Sequence, residues 1–321
     1  MINELNLENK IVNLTARIER VVLSTGNNGL NYLILHLIDR TGRVEGRLWN
    51  VNDEDICNLK AGTIIRIDAN INSYRHQLQL KINNYVVINE EEFEEYKLSH
   101  DMFSINAPLN INDKFKELLG FVESLKNHSY KKVTLELLKE HEEHYKTYPA
   151  AVSIHHNVVG GLFWHSSSML EAAKALNKVY TFIEIDWDLV YCGVILHDIG
   201  KVVELEGKNA SEYTPIGKLI GHISIGNNFV FEKARELNIE SDDIVKLQHV
   251  ILSSHGKNEF GSPIEPLLVE SIIISTLDSL DARLYRVNEE IKKVSHNNWT
   301  PRILSEDGRS FLRHFENVKK N

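Results

Sequence analysis

The hydrophobic period changes once along this chain, and that change limits the fold more than any other feature. Up to Ile88, apolar and polar residues tend to alternate; from Asp113 onward, apolar residues recur at three- and four-residue intervals. The first pattern suits strands with one buried face, and the second suits helices with an apolar stripe. A chain of 321 residues read this way holds a β domain followed by an entirely α-helical one.

In YLILHLIDRTGRVEGRLW, Tyr32 to Trp49, a turn at Asp39 to Gly42 separates two alternating runs, which predicts a hairpin. Leu33, Leu35 and Leu37 take one face of its first strand, and Val44 and Leu48 share a face of the second. A second pair is TIIRIDANI with QLQLKI, joined through Asn72 to His76. Four or five short strands with a Gly-rich bend at Gly26 to Gly29 predict a small closed or partly closed barrel, with an OB-fold as the first choice. We assign this domain to residues 1–92. Residues 93–112 follow an acidic start, NEEEFEEYK, and read as a linker; residues 113–321 form the helical domain.

The formal charge of −9 argues against coating nucleic acid by bulk charge. It leaves room for a local basic groove: residues 10–88 carry ten Lys and Arg against seven Asp and Glu. Barrels of this kind hold single strands by base stacking on aromatics and by cations at phosphates. Arg47, Trp49, Tyr74, Arg75 and Lys81 are the candidates; taken singly, barrel-end packing for Trp49 and Tyr74 and a solvated face for the cations are at least as good a reading. With no apolar run near the ~20 residues that span a bilayer and no basic, apolar start, a cytoplasmic location without a membrane partner is expected. Cys57 and Cys192 have neither disulfide nor zinc-site spacing and read as ordinary thiols.

In the helical half, LHDIGK at Leu196 to Lys201 sets a histidine beside an aspartate at the end of an apolar run. Imidazole nitrogen and carboxylate oxygen together suit a divalent metal of intermediate hardness such as Mn, Fe, Co, Ni or Zn. The pair acquires meaning from its companions. His165 falls in the first turn of a helix after Gly160 and Gly161, and His197 and Asp198 fall in the last turn of a helix from Trp187 to Ile199. His222 is expected two turns into a helix opened by Thr214 and Pro215. His249 and His255 lie on one from Ser241 to His255. Asp278 and Asp281 sit within ESIIISTLDSLDARL, where a buried carboxylate must be paired, hydrogen-bonded or metal-bound.

His165, then His197-Asp198, then a distant Asp278 is similar to the ordered pattern of the HD superfamily of metal-dependent phosphohydrolases. With the barrel in front and with HHNVVGGLFWHSSSML, YCGVILHDIGKVVEL, LIGHISIG and SSHGKNEFGSP, the chain resembles the YhaM-type 3′→5′ exoribonucleases of Gram-positive bacteria. The resemblance implies that His165, His197, Asp198 and Asp278 form a basic metal set, with His222 and His255 adding ligands for a second ion and Asp198 bridging. Manganese is the implied metal. Two divalent ions about 4 Å apart can orient an in-line attack of water on phosphorus and stabilise the leaving 3′ oxygen. Asp198, Lys201 and His197 are then the catalytic candidates, Lys201 either neutralising phosphate or answering the helix dipole. His156, beside His155, matches a family histidine pair and is a candidate for the substrate entrance. Ser254 and Ser279 depart from the family's His and Asn at those places.

The expected activity is phosphodiester hydrolysis of single-stranded RNA, with single-stranded DNA as a further candidate, from the 3′ end to nucleoside 5′-monophosphates. Two alternatives stay open: an HD phosphohydrolase acting on free nucleotides or cyclic dinucleotides, and an inactive nucleic-acid-binding protein. The sequence leaves a homo-oligomer open as well.

Overall fold

The computed structural model describes residues 1–7, 10–26, 29–74, 77–151, 157–206 and 212–316, the side chains of Tyr74 and Gln77 excepted. Arg75, His155 and His156 lie outside the described residues. The chain divides into two compact units, Met1–Ile105 with Val287–Asn321, and Asn106–Arg286.

The first unit is built on five strands: β1 (Ile11–Thr25), β2 (Asn31–Asp39), β3 (Gly42–Trp49), β4 (Ile64–Tyr74) and β5 (Gln77–Ile88). They close into a barrel in the order β1-β2-β3-β5-β4, with β3 and β5 parallel and the other pairs antiparallel. A short helix, α1 (Asp53–Asn58), joins β3 to β4. Closure needs a strand long enough to pair on both sides. β1 does so, shifting register between Ile18 and Arg20 as it passes from β4 to β2.

Alternation translates directly into burial. Leu14, Ala16 and Ile18 of β1, Leu33, Leu35 and Leu37 of β2, Val44 and Leu48 of β3, Ile65, Ile67 and Ala69 of β4, and Leu80 and Ile82 of β5 make one core. Each fully buried Leu or Ile there is worth ~1.5–3 kcal/mol over an exposed one. Gly46 interrupts the inward row of β3 because Ile82 fills its space: an added Cβ would lie 2.8 Å from Ile82 Cδ1. At the β2–β3 turn, Asp39 is buried and its carboxylate accepts from the backbone amides of Ile2, Thr41 and Gly42.

Two stretches differ from their sequence assignments. The first part of the stretch read as a linker, residues 93–112, does not leave the barrel: Phe93, Tyr96, Leu98 and Met102 pack around Ile64, Ile88 and Phe103. The described residues after Arg286 do not join the helical core. They end in an irregular hairpin bridged at Trp299–Leu312 and Ile303–Arg309.

The second unit is helical: α2 (Ile111–Glu123), α3 (His128–Glu140), α4 (Glu142–Thr147), α5 (Gly161–Val179), α6 (Trp187–Leu196), α7 (Lys201–Glu204), α8 (Pro215–Ile220), α9 (His222–Glu236), α10 (Asp242–Leu252) and α11 (Val269–Lys292), which runs past the unit boundary. A two-residue ladder, β6 (Leu205–Glu206) with β7 (Glu212–Tyr213), follows α7. α6 is the centre. Leu189 to Leu196 are all buried, as suits a helix apolar on every side. Asp186 caps it by accepting from the Leu189 amide, and Gly193 lets α10 and α11 approach, since a Cβ there would lie 2.5 Å from Ile274 Cδ1. Cys192 is buried on this helix with its thiol pushed up to about 12 by burial, so it stays protonated, and Cys57 is exposed.

Candidate active site

α6 ends at Leu196, and His197 and Asp198 occupy the turn after it rather than its last helical turn. Gly200 explains why a glycine follows. A Cβ at that position would lie 2.0 Å from the His222 carbonyl oxygen, so only glycine lets the start of α9 pack against this turn. His222 itself is not two turns into the helix opened by Thr214. Gly221, at φ 78°, breaks the chain after Ile220, and His222 becomes the first residue of α9. α10 likewise stops at Leu252, where the Ser253 hydroxyl donates to the His249 carbonyl, leaving His255 in the following turn. Four of the ligand-type residues, His197, Asp198, His222 and His255, therefore sit at helix ends.

His165, His197 and Asp278 offer ligand atoms all within 4.8 Å of one another, and Asp198, His222 and His255 do the same. Both aspartates face both groups. Asp198 Oδ2 lies 3.3 Å from His197 Nε2 and 4.0 Å from His165 Nε2, while its Oδ1 lies 3.4 Å from His222 Nε2. Asp278 Oδ1 lies 3.2 Å from His165 Nε2, and its Oδ2 lies 4.0 Å from His255 Nε2. The bridging geometry inferred for Asp198 alone thus has a counterpart in Asp278.

Each histidine is held through its other nitrogen, which leaves Nε2 facing the site. His165 Nδ1 donates to Asp281 (2.7 Å), His197 Nδ1 to the Val194 carbonyl (2.8 Å), His222 Nδ1 to Glu204 (2.9 Å) and His255 Nδ1 to the Phe260 carbonyl (3.3 Å). His197 Nε2, Asp198 Oδ1 and His222 Nε2 are buried without a hydrogen-bond partner. Such atoms are costly in a folded protein unless something else satisfies them, and a divalent ion of intermediate hardness matches this nitrogen and oxygen set.

The electrostatics point the same way. Burial alone would push the Asp198 carboxyl up, yet the Lys201 ammonium and the His197 imidazole hold it well below the usual carboxylate range. Lys201 is itself buried, with Nζ 2.5 Å from Asp198 Oδ2. Asp278 is lowered as well, against burial, by its hydrogen bond with His165 and by the His197 and His165 charges. For His165, burial is outweighed by the Asp278 and Asp281 carboxylates, which raise the ring to about 9.

Sequence reasoning passed over Glu204, which lies in the apolar run VVEL and is buried beside His222. The argument used for Asp278, that a carboxylate amid apolar residues needs a partner, would have found it. That argument was only partly apt for Asp278, because neighbours Ile272 and Leu280 are exposed. His249 takes no part: its Nε2 accepts from the Leu267 amide, tying α10 to the segment before α11.

On the barrel, Trp49 is 42% exposed and stacks on Tyr32 with ring centroids 4.4 Å apart. Arg47 is in register with Ile34 on β2 and with Lys81 on β5, and its guanidinium lies 5.9 Å from the Tyr32 ring centre. Arg47 Nε also donates to Glu45 at 3.0 Å. Trp49, Lys81 and Asn83 line a shallow hollow over Leu48 and Ile82. Tyr74 belongs to β4 by its backbone, at the end of the β4–β5 pairing.

A five-stranded barrel of this order and a helical unit with two facing ligand groups define a two-domain protein of the OB-fold and HD classes. The OB-fold nucleic acid binding domain model matches residues 12–88, and the HD domain model matches residues 162–283. The chain is 37% identical over 296 residues to the 3′-5′ exoribonuclease YhaM of Halalkalibacterium halodurans, covering 92% of this chain and 91% of that one. The Bacillus subtilis protein of the same name is 37% identical over 287 residues, covering 89% and 90%. The chain belongs to the YhaM family of 3′-5′ exoribonucleases. Among the described residues, no helix is long and apolar enough to cross a membrane.

Proposed function

We propose that this protein, a 3′→5′ exoribonuclease by family, shortens single-stranded RNA to nucleoside 5′-monophosphates by hydrolysis assisted by two divalent ions, manganese foremost. The observation that carries the two-ion reading is the meeting of two three-residue groups at two aspartates, with His197 Nε2, Asp198 Oδ1 and His222 Nε2 buried and otherwise unsatisfied. His165, His197 and Asp278 would hold one ion, and Asp198, His222 and His255 the other. Ions so bound supply Lewis-acid stabilisation of the attacking water and the leaving 3′ oxygen.

The chain's own residues do the remaining work. Asp281, the Val194 carbonyl, Glu204 and the Phe260 carbonyl hold the four rings so that Nε2 of each faces the site. Lys201 offsets the negative charge of Asp198 and then of the scissile phosphate. On the barrel, Trp49 backed by Tyr32 offers a stacking platform, and Arg47 and Lys81 offer charge to the backbone. Stacking and phosphate contacts do not read the 2′ position, so single-stranded DNA is the second candidate substrate. Its place of action is the cytoplasm.

Incubation of the protein and Mn²⁺ with RNA and DNA oligomers labelled at the 5′ end tests the reading. A ladder descending in single-nucleotide steps is expected. One internal cut, or hydrolysis of free nucleotides alone with oligomers left intact, would overturn it.

A further inference from the structure

Glu204 closes α7 and is buried, 7% exposed, in a run of apolar residues. Its backbone has little freedom. The Glu204 carbonyl accepts from the Thr214 amide at 2.9 Å and from the Thr214 hydroxyl at 3.3 Å, and a Cβ at Gly217 would lie 2.3 Å from it. The start of α8 therefore clamps this residue from behind. Its side chain reaches the other way, and Oε1 accepts both the backbone N–H of His222 (3.0 Å) and its ring Nδ1–H (2.9 Å).

His222 is fixed on its backbone side as well, because its carbonyl packs against Gly200 where no Cβ fits. With both ends of the backbone placed, ring rotation is the freedom that remains, and Glu204 removes it. Nε2 is then left 3.4 Å from Asp198 Oδ1. The other ligand group is positioned differently. His165 is held by Asp281 and His197 by a carbonyl of its own helix, and among the described residues no hydrogen bond joins Glu204 to His165, His197 or Asp278.

We infer that Glu204 is a positioning residue for the second ion alone, setting occupancy of the Asp198, His222 and His255 group separately from the first. The inference rests on the two-ion reading above. Three variants separate geometry from charge. Glu204→Gln keeps an oxygen in reach and loses the charge; Glu204→Asp keeps the charge and withdraws the oxygen; Glu204→Ala loses both. Calorimetric titration of the metal-free proteins with Mn²⁺ reads both sites, and electron paramagnetic resonance distinguishes a spin-coupled manganese pair from an isolated ion.

In Glu204→Asp and Glu204→Ala the weaker binding event falls roughly 10–100-fold and the coupled-pair signal gives way to the isolated-ion spectrum, as loss of an outer-shell partner does elsewhere. The first event is unchanged, and Glu204→Gln stays near the parent. Three results would overturn the inference: Glu204→Asp binding two ions like the parent, both events weakening together, or Glu204→Gln failing as Glu204→Ala does. If the unaltered protein binds a single ion, the two-ion reading falls too, which distinguishes that failure from this one.

Discussion

The barrel face and the proposed metal centre handle polar groups in opposite ways. On the barrel several charged side chains are partly exposed and already paired, as with Arg43 against Glu19 at 2.9 Å and Arg47 against Glu45 at 3.0 Å. In the helical unit His165, His197 and Asp198 are buried, and His197 Nε2, Asp198 Oδ1 and His222 Nε2 are left without a hydrogen-bond partner. A solvated surface can exchange partners at little cost, so its residues should be individually dispensable. A buried, preorganised site cannot, and one missing atom is felt throughout.

The largest effect should therefore come from Asp198, which faces both ligand groups and the buried Lys201. Asp198→Asn keeps the shape and removes the charge. RNA degradation with Mn²⁺ should fall by at least ~10³-fold, beyond what losing one preorganised donor costs. Asp198→Ala should do the same and also lower thermal stability by roughly 3–5 kcal/mol, because Lys201 is left as an unpaired buried charge. If either variant still degrades the oligomer at the parent rate, the centre is not where chemistry occurs.

Next in size is the stacking platform. Trp49→Ala should weaken binding of a single-stranded RNA by ~1–3 kcal/mol, about 5- to 150-fold, the range for one base stacked on an aromatic side chain. Fluorescence anisotropy with a chelator present isolates this from hydrolysis. The kcat at saturating RNA should hold. A fall in kcat with unchanged affinity would erase the proposed contrast between the two regions.

How much of this was legible in the sequence follows from the same contrast. Strand faces were readable because one residue in two points inward, so Leu33, Leu35 and Leu37 announce their own burial. The six residues that meet in the centre were named through the family resemblance, but the places of four of them at helix ends were not readable. Breaks after Leu196, Ile220 and Leu252 depend on what packs against the turn, as with Gly200 against His222, and periodicity carries no trace of such contacts. The packing of Phe93 and Met102 around Phe103 was hidden for a related reason: a polar stretch with scattered aromatics has no period to betray its attachment. Glu204 was visible in principle, since VVEL is a poor place for a solvated carboxylate.

A pH titration gives a smaller but diagnostic effect. His165 has its folded value raised to about 9 by Asp278 and Asp281, so on the proposed reading an ion bound there would displace a proton from it. Metal affinity should rise by about tenfold per pH unit between pH 6.5 and 8.5 if one proton is displaced. For the metal-free fold the sign is opposite. That pairing stabilises fully below the unfolded value and is lost as pH rises through about 9. Calorimetry in buffers of different ionisation enthalpy would show the proton released; an affinity flat across this range would mean the ring already binds as a neutral base.

The smallest effect separates Lys81 from Arg47, which face each other in register on β5 and β3. Arg47 already spends part of its charge on Glu45, and among the described residues no ion pair engages the exposed Lys81. A lysine that touches one phosphate releases its share of counterions, so Lys81→Ala should reduce the slope of log affinity against log salt by ~0.7 for a single strand. Arg47→Ala should reduce it less, because Glu45 loses its compensation at the same moment and repels the strand whether or not the arginine had bound. In a Glu45→Gln background that acidic offset is gone, and the loss of Arg47 should approach the increment of Lys81. Equal slopes for the two alanine variants would mean that the pairing seen on the bare surface does not persist when RNA is bound, and that the cations of the barrel face, like the ligands of the metal centre, are held for one partner rather than shared among several.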